Sequence, residues 1–305
     1  MIEIYRKSGK DSHIQQVNVV QKGSWIHVVD PTASDIDFLV DDLNLEHGHI
    51  TDALDPFEAP RFESEDNAKY LFLRIPYEED GAIKTMPVLL VVADDFIVTI
   101  MRQRERVFDD FFSGKIDFTT TEKEQFLLLM LIKVNVAYQN FLQGINKDIR
   151  EMTERMEDVE ESDVVGFLET DRVVNELLAA LTGMSSMYRT ILNEKHLALT
   201  KEDTDVIEDL VLSNEEMMII CAAVLRSMVH IRETYVILVA EQTHESIRSL
   251  RRTVIVLAVP ILVAAVLGIN ARIPFQDRPL SFVVGVGIVA AVFLITVVLT
   301  GRKEQ

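Results

Sequence analysis

Hydrophobic residues are distributed differently in the last fifty positions than in the rest of the chain. Residues 253–269 and 280–300 are two almost uninterrupted apolar stretches, separated by a short polar loop. The second stretch has no charged residue, and as a helix it is long enough to cross roughly 30 Å of hydrocarbon. Because both faces of each predicted helix are apolar, packing in water is unfavourable. The pattern predicts two transmembrane helices at the carboxyl-terminal end.

The first 118 residues show the patterns of strands and short helices. Strands are predicted over residues 25–29, 69–75, 85–92 and 96–101. Turn residues at 78–81 and 93–95 indicate hairpin connections between the last three strands. An amphipathic helix is predicted over 35–45, with Ser34 as its cap. This part therefore predicts an α/β domain large enough to have its own core.

From residue 121 the apolar residues recur about every 3.6 positions, which indicates helices. A capping-box signature of Thr121 and Glu124 begins one long helix, and a second, antiparallel to it, covers about 162–196. A third helix begins near residue 203 and has no Gly or Pro before Pro260, so it continues into the first apolar stretch. Its length of roughly 100 Å implies a bundle with helices from other copies of the chain.

These patterns divide the chain into four predicted parts. They are an α/β cytoplasmic domain at 1–118, two long antiparallel cytoplasmic helices at 119–202, a stalk helix at 203–252 and a two-helix transmembrane domain at 253–305.

The charges predict the orientation in the membrane. The start of the chain has no basic region followed by an apolar one, so we expect the long amino-terminal part to stay in the cytoplasm. Arg248, Arg251 and Arg252 precede the first apolar stretch, and Arg302 and Lys303 follow the second. This basic bias predicts a multi-pass protein of the inner (plasma) membrane with both termini cytoplasmic.

Negative charge is concentrated before the membrane part. The net charge is −19, and 47 of the 49 acidic residues lie before residue 253. Such a surface disfavours nucleic acid as a partner and raises the local concentration of cations, although acidity also simply keeps a large domain soluble. The one cysteine, Cys221, fits a reducing compartment.

Two short segments resemble a known family. Residues 25–32 (WIHVVDPT) are similar to the W-I-x-V-x-x-P-T segment of the CorA family of divalent cation transporters, and residues 268–275 (GINARIPF) are similar to its G-M-N-x-x-x-P-x loop. With the α/β domain, the long antiparallel helices, the stalk helix and two terminal spans, the chain resembles this family over its whole length.

The resemblance implies a CorA-like funnel assembled as a homopentamer. The first span of each copy would line a pore and the second would face lipid, with Gly268, Ile269 and Asn270 at the outer pore mouth. Most members have Met where this chain has Ile269, whereas the zinc-associated ZntB branch commonly has Ile. The resemblance therefore leaves the ion open between Mg²⁺, with Co²⁺ or Ni²⁺, and Zn²⁺.

Asn270 has the chemistry that a pore mouth for hydrated divalent ions needs. A ring of amide oxygens accepts hydrogen bonds from the water shell of the ion and holds it weakly enough for conduction. The alternative is that Asn270 only caps the end of a membrane helix. Steps of helical length back from Asn270 give one candidate pore-lining face, formed by Val266, Val263, Val259, Val256, Arg252 and Ser249.

Three acids near the start of the stalk helix have two interpretations. Asp205, Glu208 and Asp209 are placed to interact with the helix dipole, which is the ordinary role of acids there. The family resemblance adds a second role, a regulatory divalent-cation site between subunits that closes the pore when intracellular metal is plentiful.

A histidine-rich segment is a weaker metal candidate. His47 and His49 are followed by Asp52, Asp55 and Glu58, but this spacing matches no closed zinc pattern. We therefore predict a solvated loop.

Enzyme motifs are not recognised. Residues 8–10 (SGK) lack the glycine spacing of a P-loop, and no catalytic constellation is recognised. We expect a transporter of Mg²⁺ and related divalent cations that is not an enzyme, has no catalytic cofactor and is gated by cytoplasmic divalent cations. The alternatives are a ZntB-like zinc transporter, including a proton-coupled one, and a non-conducting sensor or scaffold of the same architecture.

Overall fold

The computed structural model describes residues 1–65, 68–154, 161–194, 197, 199–268 and 281–301. The chain divides into two compact units, Met1–Arg232 and Glu233–Gln305. The elements in chain order are β1 (Ile2–Arg6), β2 (Gln15–Gln16), β3 (Ser24–Val29), α1 (Ala33–Asp37), a π-helix (Phe38–Asp42), α2 (His47–Asp52), β4 (Arg61–Glu65), β5 (Ala68–Glu79), β6 (Ala82–Ala93), β7 (Phe96–Met101), a 3-10 helix (Arg106–Phe108), α3 (Asp109–Phe112), α4 (Lys123–Glu154), α5 (Glu161–Glu194), α6 (Lys201–Leu267) and α7 (Ser281–Gly301).

The strands of the first unit form a mixed seven-stranded sheet in the order β2-β1-β3-β7-β6-β5-β4. Strands β3 and β7 are parallel, and the other neighbouring pairs are antiparallel. The parallel register pairs Val29 with Met101, so the carboxyl ends of both strands lie at the same edge of the sheet.

Both faces of the sheet are covered, which explains why its central strands are continuously apolar. In β6, Val88, Leu90 and Val92 belong to a core that includes buried residues of α4, α5 and α6. Leu89 and Val91 point to the other face and belong to a second core with residues of the short helices. The alternation of side chains along one strand thus contributes to two cores.

A buried aromatic cluster surrounds the sheet residue His27. The Trp25 ring stacks on Phe112 with centroids 5.0 Å apart, and its indole N–H donates to the Thr99 hydroxyl at 3.1 Å. The His27 Nδ1 is 2.7 Å from the same hydroxyl. Burial, with a smaller contribution from Arg104, lowers the pKa of His27 to about 4. The imidazole is therefore neutral at physiological pH.

The β5–β6 hairpin is longer than its neighbours. Its turn places Asp80 at φ 53° and Gly81 at φ 77°, as expected for a two-residue turn of type I′. Strand β4 pairs with β5 only up to Phe72, and β7 pairs with β6 only from Val88. The intervening residues, 73–87, form a two-stranded ribbon that pairs only with itself.

Side-chain contacts fix helix α5 on the sheet. The Glu176 Oε1 accepts hydrogen bonds from the backbone N–H and the hydroxyl of Thr85, at 2.8 and 2.6 Å. At Gly183, a Cβ would lie 2.9 Å from Pro60 Cδ, so α5 packs closely there because the side chain is missing. These contacts join the ribbon and the segment before β4 to one helix.

Most predicted elements are confirmed, with a few corrections. The strands predicted in the first 118 residues are present, and the stalk helix and the first apolar stretch are one helix, α6, of 67 residues. The helix predicted over 35–45 is instead α1 followed by a π-helix, and its cap is Thr32 rather than Ser34. The Thr32 hydroxyl and the Asp35 carboxylate form the capping box, which fixes the start two residues earlier.

Candidate functional site

The two carboxyl-terminal helices have apolar surfaces that the rest of the chain leaves bare. The most apolar 18-residue windows of α6 and α7 are 6% and 0% buried, respectively. Leu262, Phe282 and Leu294 are each more than 60% exposed. Surfaces of this kind are unfavourable in water and suit the hydrocarbon of a bilayer. By length and composition, both helices are able to cross a membrane.

Each of these helices is partly covered along one face. The covered positions recur at helical spacing, at Arg252, Val256, Pro260, Val263 and Leu267 in α6 and at Gly285, Val289, Val292, Thr296 and Thr300 in α7. Because the two helices follow each other in the same unit, we infer that these faces pack against each other.

The six residues predicted to line a pore do not all lie on the same face of α6. Ser249, Val259 and Val266 are exposed in the single chain. Arg252, Val256 and Val263 belong to the partly covered face described above. Sequence spacing alone does not reveal this division, because it depends on where α7 lies.

Gly268 directly follows α6, and its conformation closes that helix. Its N–H donates to the carbonyls of Ala264 and Ala265, at 2.9 and 3.2 Å, which tightens the last turn. Its position leaves room for ordinary contacts, since a Cβ would lie 3.4 Å from the nearest heavy atom. Ile269 and Asn270, the rest of the predicted pore mouth, lie outside the described residues.

The acids at the start of α6 separate into two groups. Asp203 is buried, and its carboxylate accepts hydrogen bonds from the backbone N–H and the hydroxyl of Thr200, at 2.9 and 2.7 Å. It is therefore a capping residue. Asp205, Glu208 and Asp209 are exposed. Within the described part of a single chain, no group of three or more His, Cys, Asp or Glu side chains is arranged to hold a metal ion.

The segment with two histidines is a helix, so the prediction of a solvated loop is wrong. Helix α2 begins at His47, and the His49 ring packs on Tyr70 with centroids 4.4 Å apart. The carboxylates of Asp52 and Glu58 both pair with Arg61. Aromatic packing and these ion pairs account for His49, Asp52 and Glu58, which in the sequence look like metal ligands.

Comparison with known proteins identifies a family whose match includes the bare apolar helices. A family described as CorA-like Mg²⁺ transporter protein matches residues 20–302, almost the whole chain. The chain belongs to this family. A search among curated protein sequences returns no significant match.

Solved structures share the CorA-like fold. The complete CorA magnesium transporter from Methanocaldococcus jannaschii superposes with a TM-score of 0.82 at 16% identity, covering 99% of this chain and 96% of that one. The full-length CmaX protein gives 0.73 at 16% identity, covering 99% and 97%. The ZntB cytoplasmic domain from Vibrio parahaemolyticus RIMD 2210633 gives 0.63 at 11% identity, covering 76% and 95%.

The CorA-like family assignment confirms part of what the sequence predicts. The α/β domain with a long carboxyl-terminal helix is the fold of the archaeal CorA structure. Family membership identifies a transporter of divalent cations. At 11–16% identity, the structural likeness concerns the fold.

Proposed function

We propose that the protein is a homopentameric pore for divalent metal cations in the plasma membrane, with Mg²⁺ as its main cargo and Co²⁺ or Ni²⁺ as further cargo. The observation that carries this proposal is the pair of bare apolar helices, α6 and α7, in a chain that belongs to a family of Mg²⁺ transporters. Both termini lie in the cytoplasm, and the membrane potential drives entry with about 2.3 kcal/mol per charge per 100 mV.

The packing of α7 favours one face of α6 for the pore. If α7 lies outside a ring of five α6 helices, the side of α6 away from α7 faces the axis. That side carries Val254, Ala258, Ile261 and Ala265, all exposed in the single chain. The stride from Asn270 selects a different face instead, which includes Val256 and Val263 of the partly covered side. Either face makes an apolar bore, which suits gating by dewetting.

Cysteine substitution distinguishes these two faces. We expect Val254→Cys and Ile261→Cys to react with a water-soluble thiol reagent during transport, whereas Val256→Cys and Val263→Cys stay protected by α7. The native Cys221 is buried and contributes little background. Faster labelling of Val256→Cys and Val263→Cys would instead show that the pore is lined by the face predicted from the helical spacing back from Asn270.

Flux into liposomes tests the function itself. We expect Mg²⁺ uptake that follows an imposed potential and is strongly reduced by Asn270→Ala, because the ring of amides that holds the hydrated ion is lost. Gln276→Ala, which removes an amide from the same loop, is the matched control. Full flux in Asn270→Ala refutes the pore mouth of Gly268, Ile269 and Asn270. A wild-type protein that passes no ion supports a non-conducting sensor or scaffold.

Zinc transport is the second candidate, favoured by Ile269 and by the likeness to the ZntB cytoplasmic domain. The same liposomes, with Zn²⁺ and Mg²⁺ in competition, separate the two ions. Zn²⁺ uptake that depends on a pH gradient, without Mg²⁺ uptake, would replace Mg²⁺ by proton-coupled zinc as the cargo.

We further propose that Asp205, Glu208 and Asp209 bind a regulatory divalent cation together with acids of a neighbouring copy. Their exposure supports this, and a site shared by two copies agrees with the lack of a complete ligand group in the described part of one chain. The triple change to Asn, Gln and Asn should abolish the protection from proteolysis that Mg²⁺ gives. Glu216→Gln, an exposed acid on the same helix, is the control. Unchanged protection in the triple variant contradicts the site.

A further inference from the structure

A cleft of about 470 Å³ opens in the first unit at the carboxyl ends of the two parallel strands. Asp30 and Pro31, which follow β3, and Arg102 and Gln103, which follow β7, form one side of it. In open α/β sheets, ligands bind in crevices outside the carboxyl ends of parallel strands, and β3 and β7 are the parallel pair here. The volume is within the range of sites for small molecules.

Two opposite charges at this cleft have no side-chain partner among the described residues. The parallel register pairs Val29 with Met101, so Asp30 and Arg102 are the next residues along neighbouring strands. Both side chains are exposed, and they form no ion pair with each other or hydrogen bond with another described residue. In contrast, the third charged residue of the cleft, Glu79, is already paired with Lys84 at 2.6 Å.

The backbone conformation at Asp30 is unusual and is held by a hydrogen bond. Asp30 has φ 46°, in the left-handed region that residues other than glycine seldom adopt, and its N–H donates to the Met101 carbonyl at 2.9 Å. That bond ties the end of β3 to the end of β7. The unusual conformation is thus held by the same strand that carries Arg102.

Hydrogen bonds hold another part of the cleft lining in place. The Arg74 guanidinium donates to the backbone carbonyls of Pro56 and Thr85, at 2.9 and 2.8 Å, and both of these residues line the cleft. Thr85 is also held by Glu176 of α5. Leu54 and Met86 add apolar surface to the lining. A wall fixed before binding loses little entropy when a ligand arrives.

We propose that this cleft binds a small zwitterion of the amino-acid type. Its carboxylate would pair with Arg102, its ammonium group with Asp30, and its side chain would contact Leu54 and Met86. A simple anion satisfies Arg102 but meets the Asp30 carboxylate, and a simple cation satisfies Asp30 but meets Arg102. A ligand with both charges satisfies both groups.

Calorimetric titration of the full-length protein in detergent, with each of the twenty standard amino acids as probe, tests this proposal. We expect at least one to bind below about 10 mM, with affinity reduced about tenfold or more in Arg102→Gln and in Asp30→Asn, since each loses a charge-assisted contact. Asn accepts the left-handed conformation of residue 30, so Asp30→Asn keeps the backbone.

Matched controls exclude a general effect of charge. Arg106→Gln and Asp41→Asn change the same charges at exposed positions outside the cleft and should leave the affinity unchanged. No binding by any amino acid overturns the proposal, and so does binding that persists in both cleft variants. Inorganic phosphate that binds as well as the best amino acid and ignores Asp30→Asn indicates a plain anion site, which also overturns it.

Discussion

Helices α4 and α7 have similar sequence signatures but different surroundings. Both are long and apolar enough to cross a membrane, yet the most apolar window of α4 is 50% buried within the protein, whereas that of α7 is almost entirely exposed. Residues of α4 such as Leu131 and Val134 belong to the core beneath the sheet. The comparison teaches that apolarity identifies a need for burial, and that the fold determines whether protein or lipid meets it.

The two compact units extend this comparison. In the first unit, apolar side chains of the sheet and three long helices cover one another. In the second, most apolar side chains of the described helices are exposed. The substitutions below separate a protein environment from a lipid environment.

The largest difference is expected from truncation of leucines. Leu131→Ala removes a fully buried side chain of α4 and should lower the free energy of unfolding by about 2–5 kcal/mol, because a cavity remains. Leu299→Ala in α7, where the side chain is 60% exposed, should cost far less, because lipid or detergent fills the space. Thermal unfolding of the full-length protein in detergent measures both. Equal losses would mean that α7 is packed like a core helix.

Introduction of a charge is expected to have a slightly smaller effect, and here α7 should be more sensitive than a helix of the first unit. Leu294→Arg near the middle of α7 should cost about 2.5–3.5 kcal/mol of membrane insertion. Leu168→Arg on α5, at a side chain 62% exposed to water, should cost less than about 0.5 kcal/mol. Membrane extraction with carbonate and the yield of the folded protein report the result. Normal insertion of Leu294→Arg contradicts a lipid-facing α7.

We expect the first unit to lose stability in acid because of His27. The pKa of His27 is lowered from 6.5 to about 4 in the folded state, so the unfolded state binds more protons between these values. The contribution of neutral His27 to stability is therefore complete above about pH 6.5 and is lost as the pH falls towards 4, by at most about 3 kcal/mol. Unfolding followed by the fluorescence of the neighbouring Trp25 should show this loss.

Two histidine variants sharpen the pH prediction. His27→Gln has no imidazole to protonate and should flatten the profile between pH 6.5 and 4. His13→Gln, at an exposed position, should keep the wild-type profile. A wild-type profile in His27→Gln would assign the acid sensitivity to other groups.

The smallest effect concerns the start of α6. Thr200→Ala removes the capping box with Asp203 and should cost about 1 kcal/mol, because the first backbone N–H groups of the helix lose a partner. Asp205→Asn should stay within about 0.5 kcal/mol. If Asp205→Asn costs as much as Thr200→Ala in the absence of metal, Asp205 also has a structural role. Urea unfolding with a chelator present distinguishes these outcomes.

Elements with a strong local signal were predictable from the sequence. The apolar runs of β5, β6 and β7, and the 3.6-residue period of α4 to α6, are fixed by residue types and turn residues. The elements missed were short or at edges. Strand β4 has four polar residues among its five and is defined by its pairing with β5, and helix α2 is fixed by the packing of His49 on Tyr70.

Sites were less predictable than elements. Sequence spacing identified Gly268 at the end of α6, but the covered face of that helix depends on α7. The cleft at the end of β3 and β7 joins Asp30, Leu54, Met86 and Arg102, which are distant in the sequence. Its charges become recognisable only when the parallel register makes Asp30 and Arg102 neighbours.

The ribbon at residues 73–87 carries built-in protection against aggregation. In an antiparallel pair, the backbone nitrogens at every second residue point away from the partner strand. Counted from the two-residue turn, these positions include Pro76, Thr85 (opposite Pro76) and Pro87. Two of these are prolines, which have no N–H to offer, and the N–H of Thr85 is occupied by Glu176. An incoming strand finds no free donor at these three points, which disfavours edge-to-edge pairing there. We expect the double variant Pro76→Val, Pro87→Val to show increased light scattering on mild heating. The control Val19→Thr, at an exposed position, should leave the scattering unchanged.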